Sequence, residues 1–458
     1  MEENMNVENQ AYELLKSKQY AKLRLLLAET NPADIAEFLK NLTNDELLLA
    51  FRILPKDQAA DTFVEMESEE QETLIRSFSD SELKAVVSDL FVDDTVDILE
   101  EMPANVVKRI LRFTDSDTRR SINEILKYPE DSAGSIMTTE YVRFKKNMNV
   151  SQAISHIRST GLDKETIYTC YVTDLNNKLI GMVSAKTLLL AHPDEIIEDI
   201  METNVICFTT TDDQEEVAKA FDKYNFMAIP VVDDETRLVG IVTFDDAIDV
   251  LQDETTEDIE KMAAIIPSEK SYLKTGVFET WKQRIPWLLL LMVSATFTGS
   301  IISSYESALA GCVILTSFIP MLMDTGGNSG GQSSVTIIRS LSLGDVEMKD
   351  VFKIVFKECR VAILCGLTLA IVNFAKMMLL DRAAIVSDGQ NALFVSFVVS
   401  LTLVVTVFIA KLVGSTLPIA AKKIGFDPAV MASPFITTIV DALSLLVYFN
   451  FAKIFLNL

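Results

Sequence analysis

The sequence predicts a multidomain chain: an all-α helical-repeat module, a duplicated α/β module, a connecting helix and a five-helix α transmembrane domain. Three observations predict it. A twelve-residue apolar rhythm runs through the first quarter, one order of strands and helices occurs twice between residues 133 and 250, and five apolar segments follow residue 276.

Charge follows the same division. Of 66 acidic and 41 basic residues, only 11 and 13 lie beyond Thr275, so the front carries about −27 and the back about +2. So acidic a front argues against nucleic acid, whose phosphates need Lys and Arg, and suggests cations or basic surfaces as partners. Five cysteines form no close pair, and His156 and His192 lie far from them, so neither a disulfide framework nor a zinc site is expected. The start, "MEENMNVENQ", lacks the basic and apolar regions of a cleaved signal. The front half is therefore expected in the cytosol.

The helical module spans residues 1–132. Leu42, Leu54, Met66, Phe78, Leu90 and Met102 recur every twelve residues. Each unit reads as a short amphipathic helix opened by a residue suited to a cap or first turn, such as Pro55, Ser68, Asp80 or Pro103. Such units bury their apolar sides only by stacking, which predicts a superhelix.

Residues 133–250 contain the duplication. "IMTTEYVRFKKNMNVSQAISHI" matches "IMETNVICFTTTDDQEEVAKAF", and "VTDLNNKLIGMVSAKTLL" matches "VVDDETRLVGIVTFDDAI". The predicted order in each copy is strand, helix, strand, strand, helix. With "IPVVDD" and "GIVTFDD" in the second copy, the pair resembles tandem CBS domains. That resemblance makes adenine nucleotide, ATP among them, a candidate ligand, with Phe226, Thr243 and Asp246 as its contacts; the first copy has Thr187 where such domains often carry an acid.

Residues 251–275 are read as a connecting helix. Glu254, Glu257 and Asp258 crowd one side at three- and four-residue spacing, where like charges repel unless something neutralises them. A solvated linker and a transmission element are both open readings.

The transmembrane domain, residues 276–458, contains apolar segments near Pro286 to Ser304, Leu309 to Met323, Val361 to Leu380, Leu393 to Val413 and Pro434 to Phe455. Most approach the roughly 20 residues a spanning helix needs. Lys and Arg gather before the first, between the second and third, and between the fourth and fifth, whereas "SYESA" between the first two has none. By the positive-inside rule the amino end lies in the cytosol and the carboxyl end outside.

Asp441 stands inside the fifth segment, where an ionisable side chain is costly and usually lines an internal path. In "IPMLMDTGGNSGGQSSVTIIRS", Pro320, Gly326, Gly327, Gly330 and Gly331 are expected to loosen helical hydrogen bonding, which at membrane depth requires protein or a water-filled cavity. Oxygen donors with room for water suit a hydrated dication such as Mg2+. One carboxylate per chain is little charge for such an ion, and a two-fold dimer would double it. The Thr437 carbonyl is a candidate second donor, and Asp427 is expected at the cytoplasmic entrance.

The order of these parts, with "GGNSGGQ" and "PFITTIVDALSLLVYF", resembles the MgtE magnesium channels and transporters over nearly the whole chain. The resemblance implies a homodimer in the plasma membrane taking up Mg2+, with Asp441 of both chains at the selective site, the Thr437 carbonyl aiding it, the Gly326, Gly327 and Asn328 turn beside it, and Asp427 at the inner mouth. It also implies that the connecting helix plugs the pore when Mg2+ binds the cytosolic acids. The matching residues are Asp94, Asp97, Asp213, Glu215, Asp246, Asp249, Glu254, Glu257 and Asp258.

Rival classes fare worse. An intramembrane metalloprotease needs an H-E-x-x-H pair, and both histidines lie outside the apolar segments; an aspartyl protease needs two intramembrane aspartates, and Asp324 is read as lying at a segment's end. A non-conducting membrane-anchored Mg2+ or nucleotide sensor leaves Asp441 without purpose. A transporter of cobalt, nickel or calcium is the nearer alternative, because oxygen donors alone do not fix the ion.

Overall fold

The residues of the twelve-residue rhythm are joints. In the computed structural model, which describes residues 2–268, 272–273, 275–431 and 433–456, ten short helices run from α1 (Glu2–Lys16) to α10 (Ser116–Ile125). Leu54, Phe78 and Met102 end one helix, and Pro55, Ser79 and Pro103 stand at the N-caps of the next. The terminal apolar residue is buried each time, while the next residue supplies extended backbone that stops one helix and starts another. Ser79 does so with a capping box, its hydroxyl accepting from Glu82 N–H while the Glu82 carboxylate accepts from Ser79 N–H. Helices contact their second neighbours, as α8 (Val92–Glu101) does α10, so the module is a stacked superhelix.

The duplicated module comprises β1 (Tyr141–Lys145), α11 (Val150–Thr160), β2 (Thr166–Thr173), β3 (Leu179–Ser184) and α12 (Ala185–Leu190), then, after the single turn α13 (Ile197–Ile200), β4 (Phe208–Thr209), α14 (Gln214–Tyr224), β5 (Ala228–Val232), β6 (Leu238–Thr243) and α15 (Phe244–Met262). Each copy is a three-stranded sheet whose first pair is parallel and second antiparallel. β5 is buried along its whole length, as its unbroken apolar run requires. The connecting stretch is no separate helix: α15 starts at Phe244, inside the second copy, and ends at Met262.

The chain divides into two compact units, residues 1–251 and 252–458. The second contains α16 (Val277–Ser304), α17 (Glu306–Gly311), α18 (Ile319–Ser342), α19 (Val351–Lys376), α20 (Arg382–Ser387), α21 (Ala392–Lys423) and α22 (Ser433–Leu456). Among the described residues four stretches, Val277–Ser304, Met348–Ser387, Ala392–Lys423 and Pro428–Leu456, are long and apolar enough to cross a membrane.

The second apolar segment is corrected. Residues 309–323 are not one helix: α17 ends at Gly311, a 3-10 turn covers Val313–Phe318, and α18 begins at Ile319 with Pro320 in its first turn. The Tyr448 hydroxyl donates to the Leu315 carbonyl at 3.0 Å and fixes that turn. Nor do the glycines loosen the helix, since α18 runs unbroken through all of them to Ser342. They permit close approach instead. A Cβ on Gly326 would lie 2.9 Å from Val440 Cγ1, and one on Gly414 would lie 2.2 Å from the Gly330 carbonyl oxygen, so α18, α21 and α22 meet through small residues.

Candidate functional site

That glycine seam brings two carboxylates within range of each other's charge. Gly327 of α18 meets the Thr437 methyl of α22. One turn back along α18 and one turn on along α22 stand Asp324 and Asp441, and Asp324 is the charged side chain whose field reaches Asp441. The Asn328 amide donates to Asp324 at 3.1 Å. Asp441 Oδ1 is enclosed and has no hydrogen-bond partner among the described residues.

α18 carries an exposed polar stripe, Asp324, Asn328, Gln332 and Thr336, at four-residue spacing. The expected turn at Gly326 to Asn328 is therefore helix, and its side-chain contribution comes from Asn328 and Asp324. Thr437 lies within α22, where its carbonyl is the helical acceptor for Asp441 N–H. Asp324, expected at the end of an apolar segment, is the sixth residue of α18 and heads this stripe. Its spacing to Asn328 and Gln332 is the signal that could have revealed it.

At the other end of the seam Asp427 already has a cationic partner. Its Oδ1 accepts from Ala429 N–H at 2.8 Å, and Lys261 Nζ donates to its Oδ2 at 2.8 Å. Lys261 also pairs with Glu257 at 2.6 Å, one turn earlier on α15. Partial burial works to lower the Lys261 pKa, but its hydrogen bonds to Asp427 and Glu257 outweigh that and raise it. Asp258 accepts from the Ser342 hydroxyl at 3.0 Å, and Met262 packs with Ile338 and Ala429. The repulsion expected among Glu257 and Asp258 is thus relieved by Lys261 and Ser342. The i, i+4 spacing of Glu257 and Lys261 could have shown the first.

In the first unit, acids of α8 face acids of the duplicated module. Burial, and then Asp246, push Asp97 up to about 7, although one side of it reaches solvent. Burial raises Asp94 to about 6 against a backbone hydrogen bond, with Asp245 and Glu140 adding to the rise. Burial followed by Asp94, Asp245 and Asp246 takes Glu165 to about 8. Asp246 stands near 6, where burial outweighs the hydrogen bond from Thr243. Asp93, only 7% exposed, is raised well above the carboxylate range, first by burial and then by Asp246 and Glu165. Asp93 Oδ1 and Glu165 Oε2 are enclosed without hydrogen-bond partners among the described residues. The Glu140 carboxylate accepts from Val92 N–H at 3.0 Å, capping α8.

Of the sequence candidates, this cluster gathers Asp94, Asp97 and Asp246 and adds Asp93, Glu140, Glu165 and Asp245. Asp213 instead caps α14 by accepting from Glu215 N–H, Glu215 pairs with Lys219, and Asp249 is exposed beside Asp245. Glu254, Glu257 and Asp258 belong to the second unit. Among the described residues no three acids or other metal-ligating side chains converge on one ion position. Phe226 stacks on Tyr224, and in the first copy Ser184 and Thr187 form the hydroxyl pair that corresponds to Thr243 and Asp246.

Comparisons with known proteins extend over the whole chain. A family model described as a divalent cation transporter matches residues 319–451, the MgtE intracellular N domain matches 30–131, and CBS domains match 133–194 and 197–253. The magnesium transporter MgtE of Thermus thermophilus is 35% identical over 100% of both chains, and that of Bacillus subtilis 33% identical over 97% of this chain and 96% of its own. A crystal structure of the soluble part of a magnesium transporter covers 55% of this chain and 99% of its own at 31% identity and TM-score 0.52. Another, of the cytosolic domain of the Mg2+ channel MgtE in complex with ATP, covers 53% of this chain and 99% of its own at 34% identity and TM-score 0.51.

Proposed function

The chain belongs to the MgtE family of magnesium transporters, and from that premise we propose that it admits Mg2+ to the cytosol along a path between two copies, closed when cytosolic Mg2+ is high. The observation that carries this reading is the enclosed, unpartnered Asp441 oxygen beside Asp324. A polar stripe such as that of α18 is too costly to face lipid, so it belongs against water or a second copy. A two-fold axis would then bring four carboxylates to the path. The Asn328 amide and its neighbours suit an ion that keeps its water, as Mg2+ does.

Closure uses differential affinity. Mg2+ held among the α8 acids, Glu165 and Asp246 would relieve repulsion in the first unit, while α15 sits at the inner end of the path through Lys261, Glu257 and Asp258. Orphaned oxygens on Asp93 and Glu165 favour a cation there. The ATP complex of a relative's cytosolic domain supports a nucleotide at Phe226, Thr243 and Asp246 as a second regulator. The membrane domain would have five spans, with the amino end inside and the carboxyl end outside.

The family model's broader description, divalent cation transporter, favours one alternative, a less selective path. Flux of Mg2+, Co2+ and Ca2+ into vesicles holding the purified full-length chain tests both. Mg2+ entry that is lost in Asp441→Asn supports the proposal, no entry overturns it, and equal entry of all three ions selects the alternative.

A further inference from the structure

Among the described residues the second unit contains an ion pair, with Lys411 buried and Glu358 largely so, that the ion path does not use. Lys411 of α21 is 5% exposed and Ser333 of α18 is 3% exposed. Lys411 Nζ donates to Ser333 Oγ at 3.2 Å, and the Ser333 hydroxyl donates to Glu358 Oε2 of α19 at 2.7 Å. Lys411 Nζ and Glu358 Oε2 are 4.0 Å apart. Three helices are therefore joined at one serine. The pairing does not stand out in the sequence, because Glu358 precedes an apolar segment and lies 53 residues from Lys411.

The serine lies on the helix that carries the polar stripe, next in sequence to exposed Gln332 but about 100° round the helix on a buried side. Three residues before it, Gly330 packs against Gly414, itself three residues beyond Lys411. Contact through glycines brings helices close, yet dispersion has little directionality and leaves rotation and sliding weakly determined. Hydrogen bonds and charge do not. Buried polar groups are best attested as devices that fix register.

Resting on the ion-path reading above, we propose that Lys411 and Glu358 are positioning residues: their neutral pair grips Ser333 and sets the rotation of α18, and so where Asp324 and Asn328 meet a passing hydrated dication. Taken together the two charges cancel, so the grip adds no net charge within the unit. Either charge alone would be left uncompensated.

Two variants of the full-length chain in vesicles test this. Ser333→Ala removes the bridge and keeps both charges; Lys411→Met combined with Glu358→Gln removes both charges at similar volume, a change that buried pairs often tolerate in stability. Each is expected to keep its melting temperature and to raise the half-saturating Mg2+ concentration about tenfold or more, whereas Lys411→Arg stays near wild type. Amide exchange across residues 324–332 is expected to quicken in both variants. Unchanged half-saturation, or unchanged exchange whatever the flux, would overturn the inference and make the pair packing alone. A lowered melting temperature with unaltered half-saturation would do the same. Absence of flux in the wild type would instead overturn the proposed function and leave the exchange result to decide the positioning role.

Discussion

Lys261 and Asp427 meet at 2.8 Å, so an ammonium on the connecting helix occupies the position a cation would take on that carboxylate. Seen as a gate, the helix carries its own counter-ion. Movement of the helix would withdraw that counter-ion from Asp427.

Lys261→Met should loosen closure. The concentration of internal Mg2+ that half-inhibits flux should rise by roughly tenfold, within the usual range of a coupling free energy. Flux assayed against graded internal Mg2+ would measure it, and an unmoved midpoint would remove Lys261 from the gate.

Glu257 and Asp258 act at the same seat, the first through Lys261 and the second through Ser342. The double change Glu257→Ala and Asp258→Ala should leave the path open at high internal Mg2+. Normal closure there would reduce the connecting helix to a linker.

The two carboxylates of the seam should differ in weight. Asp441→Asn should abolish Mg2+ flux while the protein stays folded, because its enclosed oxygen has no hydrogen-bond partner among the described residues. Asp324→Asn should raise half-saturating Mg2+ several-fold, with Asp324→Glu restoring part of it; equal flux in all three would detach Asp324 from the path.

Acidity should tighten the first unit. Asp94, Asp97, Glu165 and Asp246 hold protons in the fold at values of about 6, 7, 8 and 6. A folded state that binds more protons than the unfolded one loses stability as pH rises. The loss should begin above about pH 4, where free carboxyls ionise, and be complete above about 8. Amide exchange of α8 in chelator should therefore quicken across that window, and Mg2+ should slow it again by replacing the protons. An exchange rate insensitive to both would dissolve the cluster as a cation site.

Gly414→Ala tests the close seam. Its Cβ would lie 2.2 Å from the Gly330 carbonyl oxygen, a backbone atom that cannot swing aside. Overpacking of this kind costs about 1–3 kcal/mol, visible as a lower melting temperature in detergent.

The repeats were legible because both are periodic: a joint at Leu54 or Phe78 is marked by sequence spacing, and so is the doubled strand and helix order. Asp441 was legible as a lone charge in an apolar run. What escaped was set by three-dimensional partnership. Gly326, Gly327 and Gly330 read as helix breakers until the side chains of α22 were seen filling the space a Cβ would need. Asp93 and Glu165 lie 72 residues apart, and no local pattern announces that each feels the other's charge. Lys411 is as conspicuous in its apolar run as Asp441, but its partners Ser333 and Glu358 lie 78 and 53 residues away, so no local pattern announces the pairing.

The stacking of the amino-terminal helices constrains how this part of the chain can change in length. Because most of these helices lean on the second one along, the unit that restores the same outline is two helices, about 24 residues, rather than the dozen that the spelling repeats. Loss of a single dozen would exchange the inner and outer surfaces of everything beyond it, turning α8 and its aspartates outward; insertions and deletions that survive should come in pairs.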